Sequence, residues 1–408
     1  MTCNQKGKNK HIRSSGISTV STGSKRAAFL RKGHCRKVHS AVMSSSGIFA
    51  PLTTFLVLFL QANAVDSTDL CNPDDCKLPD CFCSGTKIPG NLSLSSTPQI
   101  VMISFDAAVV DNAFPLYEEL FDGTLKNPNG CNISATFFVS HEFTNYCMLQ
   151  TLYHQRHEIA DNSISRRLPQ SWWATATKEE QMQEIGGMRE ILRKWGNVQV
   201  KEIKGYRAPY VQVGGNTEFG VLRDLGFLYE SSMPTQNFIE PPLWPYTLDY
   251  LSTQDCVIQP CPTSSFPGLW DVPLVDYIDQ EGILCNFVES CTPPNTVEEA
   301  YELFNSNFER HYTTNRARTV SFLKKLASMS DVWIVTVSQA LEWIQSPTSL
   351  RIIEDFAPWK CDSQPPADCP PGSCKTCYYP QAKGSPVMKT CAPSCPPNYP
   401  WVGNPDGN

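Results

Sequence analysis

The chain has 408 residues, 41% of them hydrophobic and 18% charged, and 40 acidic against 34 basic side chains leave a net charge of −6. That composition fits a globular chain long enough for one large domain with small appendages, and it excludes an intrinsically disordered polymer. The acidic balance argues against nucleic acid or another polyanion as partner and is compatible with a neutral or cationic glycan.

The first 42 residues are basic and serine-rich and contain no Asp or Glu. An apolar run follows from Phe49 to Leu60, interrupted only by Pro51, Thr53 and Thr54, and it leads to Ala62-Asn63-Ala64. A short apolar core closed by small residues is the pattern of signal-peptidase cleavage, and the run is too short for a comfortable membrane span. Residues 43–64 are therefore read as a signal peptide starting at Met43, with a retained signal anchor as the alternative. Residues 1–42 are read as either an extended n-region of that leader or an over-long gene model, and in both cases stand outside the mature protein. Export predicts a secreted, extracellular protein with no stable membrane insertion. Removing residues 1–64 takes away ten Lys or Arg and no acids, which moves the charge from −6 to −16. Of the 18 cysteines, 16 lie beyond the cut, an even number that reads as a disulfide framework in a secreted chain. Asn91 and Asn132 open N-glycosylation sequons.

Residues 65–98 form a cysteine-rich lead-in in which Cys71, Cys76, Cys81 and Cys83 are interleaved with prolines. An oxidising compartment favours disulfides there over zinc ligation. Residues 99–350 alternate short apolar runs with helical patterns, the signature of βα units on a parallel sheet. The expected strands are Ile100 to Phe105, Ala135 to Val139, His157 to Ala160, Ile203 to Arg207, Phe227 to Ser231, Leu269 to Leu274 and Val332 to Val337. The clearest helix spans Lys178 to Trp195: Thr177 and Glu180 make a capping-box pair, and Ile185, Met188, Leu192 and Trp195 share a face. Further helices are expected at about Val297 to Tyr312, at about Val320 to Met329, and to Gln345 with Ser338 as cap. Residues 351–408 form a tail rich in Pro and Cys, whose six cysteines admit fifteen internal pairings. Its Tyr378, Tyr379, Tyr399 and Trp401 have faces suited to sugar rings, although in so short a segment such aromatics more often pack against disulfides.

Three segments carry the chemistry. The run Val101 to Val110, VMISFDAAVV, delivers Asp106 to the C-terminal end of an apolar strand. HEIADNSISRR runs from His157 to Arg167, and GYRAPY from Gly205 to Tyr210. In this order and spacing, together with the cysteine lead-in, they resemble the polysaccharide deacetylases, in particular the animal chitin deacetylases. The resemblance covers about Cys71 to Pro347 and implies a distorted (β/α) barrel. It also implies hydrolysis of N-acetyl groups by water held on a zinc-type metal.

In that family the first motif ends in paired aspartates, one the base and one a metal ligand, and the second motif supplies two histidines. Here the base position is Asp106, while the ligand positions are Ala107, Asn162 and Arg166. No bound metal is therefore expected. An Arg166–Asp106 ion pair is expected in the former metal site. The third motif survives as Arg207-Ala208-Pro209-Tyr210. The resemblance makes Arg207 the residue that orients the catalytic aspartate, and gives the Tyr210 backbone amide a share in holding the oxyanion. Phe266 to Pro273 resembles the fourth motif, making Trp270 and Asp271, with Pro209 and Tyr210, the expected substrate wall; a buried core tryptophan would read the same way. The segment that should provide the general-acid histidine is cut short after Asn315-Arg316-Ala317. The remaining histidines beyond the leader, His141, His154, His157 and His311, are too dispersed to rebuild a metal site. The expectation is a deacetylase-like protein, impaired in hydrolysis, that binds chitin, chitosan or another N-acetylglucosamine glycan. An active deacetylase and a structural matrix protein are the alternatives.

Overall fold

The computed structural model describes residues 70–312, 322–363, 366, 369–370 and 372–408. In chain order the strands are β1 (Gln99–Met102), β2 (Ser104–Asp106), β3 (Thr136–Val139), β4 (Glu158–Asp161), β5 (Gly205–Tyr206), β6 (Tyr229–Glu230), β7 (Pro234–Thr235), β8 (Tyr246–Thr247), β9 (Trp270–Asp271), β10 (Leu274–Val275), β11 (Tyr277–Ile278), β12 (Leu284–Cys285), β13 (Val332–Val335), β14 (Lys375–Tyr378) and β15 (Val387–Thr390). The helices are α1 (Phe114–Leu120), α2 (Tyr146–His154), α3 (Lys178–Gln181), α4 (Gly187–Trp195), α5 (Gly215–Leu225), α6 (Val297–His311), α7 (Phe322–Ala327) and α8 (Val337–Gln345).

The main sheet runs β2-β3-β4-β5-β6-β9-β8, parallel throughout except for the antiparallel β8–β9 pair. β1 continues into β2 through Ile103 and pairs in parallel with β13. The fold is thus α/β with a mainly parallel sheet, and among the described residues the hydrogen-bonded ladder does not close into a ring. Strands β3, β4 and β13 are buried along their whole length, which is why β3 and β13 read as continuous runs rather than as alternations, while β4 carries a buried acid at each end of its Ile-Ala centre. On one side of the sheet, Phe138, Ala160, Tyr229, Trp270 and Trp333 pack with Trp343 and Leu341 of α8. On the other, Phe137 and Ile159 join Leu149, Ile191, Leu192 and Phe219 from the surrounding helices.

All seven expected strands form, with local differences. Pro273 has no N–H to donate, so the run Leu269 to Leu274 divides into β9, against β6, and β10, against β7. The helix from Lys178 starts at a reciprocal Thr177–Glu180 capping box and passes through one π turn, Met182–Gly186, before continuing as α4. The last helix is capped by Thr336, whose side chain accepts from Gln339 N, and not by Ser338. The Asn315-Arg316-Ala317 segment lies outside the described residues.

Eight disulfides close all 16 cysteines beyond the leader. Cys71–Cys83 and Cys76–Cys81 pin the lead-in. The tail is not stapled only to itself, because Cys131–Cys361 and Cys147–Cys374 fasten it to the sheet domain across 230 and 227 residues.

Candidate functional site

The parallel strands bring three sequence motifs to one rim. Asp106 ends β2, Asn162 follows β4 and Arg207 follows β5, all at C-terminal strand ends, where an α/β sheet places its ligands. Arg207 is the centre of the cluster. Its side chain is 2% exposed, and its Nη1 donates to Asp106 Oδ1 at 2.8 Å and to Ser104 Oγ at 2.9 Å. Its Nε donates to the Ser231 carbonyl at 2.6 Å and its Nη2 to Ser231 Oγ at 2.9 Å, while the guanidinium carbon lies 4.0 Å from the centre of the Phe138 ring. The charge is therefore held by a carboxylate, two hydroxyls, a carbonyl and an aromatic face, the set of partners a buried guanidinium needs. Asp106 stays 13% exposed at the rim.

The three expected ligand positions are near this pair but offer no ligand set. Ala107 presents a methyl group from a backbone with φ of 124°. Asn162 is fully buried; its Nδ2 donates to the Arg207 carbonyl at 2.7 Å and its Oδ1 has no hydrogen-bond partner. Arg166 does not pair with Asp106, as the sequence suggested. It sits five residues beyond β4, in a loop where Ser163 and Arg166 both take left-handed backbone angles, and its guanidinium lies 5.3 Å from the centre of the Tyr210 ring. Asp106 instead pairs with the arginine that follows β5, three strands along the sheet. The loop is fixed from below: Glu184 accepts from Ser165 N and Ser165 Oγ, and Asp161 Oδ1 accepts from Ser163 N at 2.7 Å.

Tyr210 closes the cluster, donating its hydroxyl to the Arg166 carbonyl at 2.8 Å. It and Val211 are consecutive non-glycine residues with positive φ, 60° and 51°. Together with Ala107, Ser163 and Arg166 they make five such positions around one site, a concentration of backbone strain of the kind that marks functional loops. Half-buried Tyr210 and Arg166, exposed Arg167 and Leu168, and half-buried Trp172 form an open rim, with the Arg167 guanidinium 4.4 Å over the Trp172 ring. Pro209 is buried beneath it.

Trp270 and Asp271 do not wall a groove. Trp270 is 1% exposed in the core beside Phe138 and Tyr229, and Asp271 is fully buried on the opposite face of the sheet. Asp271 accepts from the Tyr246 hydroxyl at 2.6 Å and lies in register with Glu230 across β6 and β9. Burial pushes the Glu230 carboxyl up to about 7. It also pushes Asp271 well above the usual carboxylate range, and the neighbouring Glu230 charge pushes it further.

A zinc-type ion, implied by the family resemblance, does not fit these residues. Among the described residues, two groups of three His, Cys, Asp or Glu have ligand atoms within 4.8 Å of one another: Cys71, Cys76 and Cys83, and Cys147, Cys369 and Cys391. All six are in disulfides, and neither group includes Asp106. The histidines are dispersed. His141 contacts Tyr146 and Tyr399, His154 bonds to the Pro366 carbonyl, His157 Nδ1 accepts from Ala135 N, and His311 bonds to the Ile239 carbonyl.

Sequence reasoning missed Ser104, Ser231 and Phe138 as partners of Arg207, and Trp172 as part of the rim. Ser104 was accessible in principle, since two residues before Asp106 on a strand it shares that residue's face.

The chain is similar to chitin deacetylase 8 of Bombyx mori, with 38% identity over 359 residues covering 83% of this chain and 93% of that protein. It is also similar to chitin deacetylase 1 of the same organism, with 37% identity over 373 residues covering 83% and 68%. No family model matches. Among solved structures, a putative polysaccharide deacetylase from Mycobacterium smegmatis shares 19% identity over 66% of this chain and 96% of that one, with a TM-score of 0.40.

Proposed function

Because the chain belongs to the chitin deacetylase family, we propose that it is a secreted member that recognises chitin or a related N-acetylglucosamine polymer at the Tyr210 rim without hydrolysing it. One observation carries this reading: beside Asp106, the positions where the family holds its metal present a methyl group, an amide and a guanidinium in place of ligands. Deacetylation needs an activated water and a base free to deprotonate it. Asp106 keeps the arginine that orients the family's base, but Ala107, Asn162 and Arg166 offer no ligand set to hold and activate the water.

Recognition draws on the rim itself. Tyr210 and Trp172 offer aromatic faces, and Arg166 and Arg167 offer donors to sugar hydroxyls and acetamido carbonyls. Eight disulfides, two of them binding the tail to the sheet domain, support an extracellular location. No helix among the described residues is long and apolar enough to cross a membrane.

The test is retention on chitin beads. The chain is expected to bind in a manner competed by N-acetylglucosamine oligomers, and Tyr210→Ala with Trp172→Ala is expected to lower retention at least tenfold in a folded protein. Equal passage of the unaltered chain over chitin and over cellulose would refute glycan recognition at this rim.

A further inference from the structure

A cavity of about 700 Å³ lies beside β1 and β2, on the side away from their sheet partners. The hydrogen bonds locate it. Gln99 N donates to the Asp331 carbonyl, Thr136 N donates to the Ile103 carbonyl and Ala107 N donates to the Phe138 carbonyl. The odd-numbered residues of this continuous strand therefore serve both β13 and β3, which lie along the same edge. By the alternation of a strand, the N–H and C=O groups of Ile100, Met102 and Ser104 point the other way. No backbone partner meets them among the described residues. The facing wall, Val272 to Tyr277, includes β10, which is paired to β7. Phe304, Phe308, Phe322, Leu323 and Val288 line the rest of the cavity.

We propose that this cavity is a docking slot for one extended peptide segment of another polypeptide, apolar along its length and carrying a basic residue. An open strand edge is a template for main-chain pairing, and an inserted strand gains affinity from those bonds and specificity from alternate side chains. The Ile100 carbonyl accepts from Gln99 Nε2 at 3.4 Å, but an alkyl chain or a flat apolar ligand would leave the edge groups of Met102 and Ser104 unpaired. The basic residue follows from Asp276. It lines the slot and is 3% exposed; its Oδ2 accepts from Gln236, and its buried Oδ1 has no partner. Glu289 adds a second acid to the same lining. At about 3.3 Å per residue, the eight residues from Gln99 to Asp106 offer an edge about 26 Å long.

The experiment uses the full chain and a fluorescein-labelled hexapeptide, KVTVTV, read by fluorescence anisotropy, with hydrogen exchange measured over residues 99–106. Saturable binding is expected, with exchange in that stretch slowed at least tenfold. Met102→Pro removes one N–H from the unpaired edge, a place where a strand tolerates proline, and is expected to weaken binding at least tenfold in a protein with an unchanged melting temperature. Should that variant not fold, Asp276→Asn provides the second reading, and it is expected to abolish the preference for KVTVTV over EVTVTV. The proposal is overturned if the peptide does not bind, or if binding leaves exchange over 99–106 unchanged. Binding equally well to the folded Met102→Pro protein overturns it too, as does protection that depends on protein concentration alone, which would make the occupant a second copy of this chain.

Discussion

Arg207 decides what the site can do. Its donors are spent on Asp106, Ser104 and Ser231, and its flat face lies on Phe138. Removing one partner of a buried pair strands the other charge, and the cost reaches several kcal/mol. Asp106→Ala is therefore expected to lower stability by about 3 kcal/mol in urea unfolding. Arg166→Ala, which removes a rim guanidinium that has no ion pair among the described residues, is expected to change it by less than about 0.5 kcal/mol. Equal losses would show that Arg166 shares Asp106 after all. The retained motif positions, Asp106, Arg207 and Tyr210, were legible in the sequence, because each ends or follows an apolar run whose end can be read. The role of Trp270 was not, because an aromatic residue on a strand reads alike whether it faces a groove or the core. The partner of Asp106 was misread for a related reason. Sequence spacing counts Arg166 as close, but the two left-handed residues in its loop carry it to the rim.

Among the elements, one side chain joins four. Glu158 of β4 accepts from Thr136 Oγ1 of β3 at 2.9 Å, from the Tyr229 hydroxyl of β6 at 3.0 Å, and from the backbone N–H and hydroxyl of Ser338 in the first turn of α8. A carboxylate at a helix N-terminus also benefits from the helix dipole. Glu158→Ala would leave several buried donors without an acceptor, and a loss of about 3 kcal/mol in urea unfolding is expected; a loss below about 1 kcal/mol would show that water replaces the carboxylate. This junction explains why Ser338 looked like a helix cap: it is polar and near the start of the helix, but its partner comes from another strand. The strands were legible because burial on both faces writes itself as unbroken apolar runs, as in TFFV of β3 and VWIV of β13. Helix α2 escaped notice although Asn145 caps it, and helices α1 and α5 escaped it for want of a signal. The first is seven residues long with no side-chain cap, and the second opens on Gly214 and Gly215, with Gly215 at φ of 56°.

At the scale of the whole molecule, buried carboxyls set the response to pH. Burial raises Asp161, Glu218 and Asp271 well above their ordinary range and Glu230 to about 7. A carboxyl with a raised folded-state value favours the fold while protonated and ceases to do so as pH climbs through that value. Burial holds His141 down to about 3 and His157 down to about 4, so their contribution is lost only as pH falls below the ordinary histidine range. Between about pH 7 and 8, where histidines of the unfolded chain are mostly neutral, the carboxyls dominate and the urea midpoint is expected to fall. Glu230→Gln should flatten the fall; an equally steep fall in that variant would move the effect to other groups.

The long-range disulfides act at the same scale. Cys131–Cys361 and Cys147–Cys374 hold the tail's β14–β15 hairpin to the body, where Thr390 donates to the Trp195 carbonyl and Tyr399 packs on His141. The sequence revealed a cysteine-rich tail but not this attachment, because pairing over more than two hundred residues depends on where the fold brings the tail.

The central claim is recognition without hydrolysis. The most direct measurement incubates the purified full chain with N-acetylglucosamine pentamer and added zinc and follows acetyl loss by mass spectrometry, beside a working deacetylase. The arrangement of Asp106, Arg207, Ala107, Asn162 and Arg166 predicts no loss of acetyl groups from a folded preparation. Zinc-dependent appearance of the singly deacetylated pentamer would contradict it.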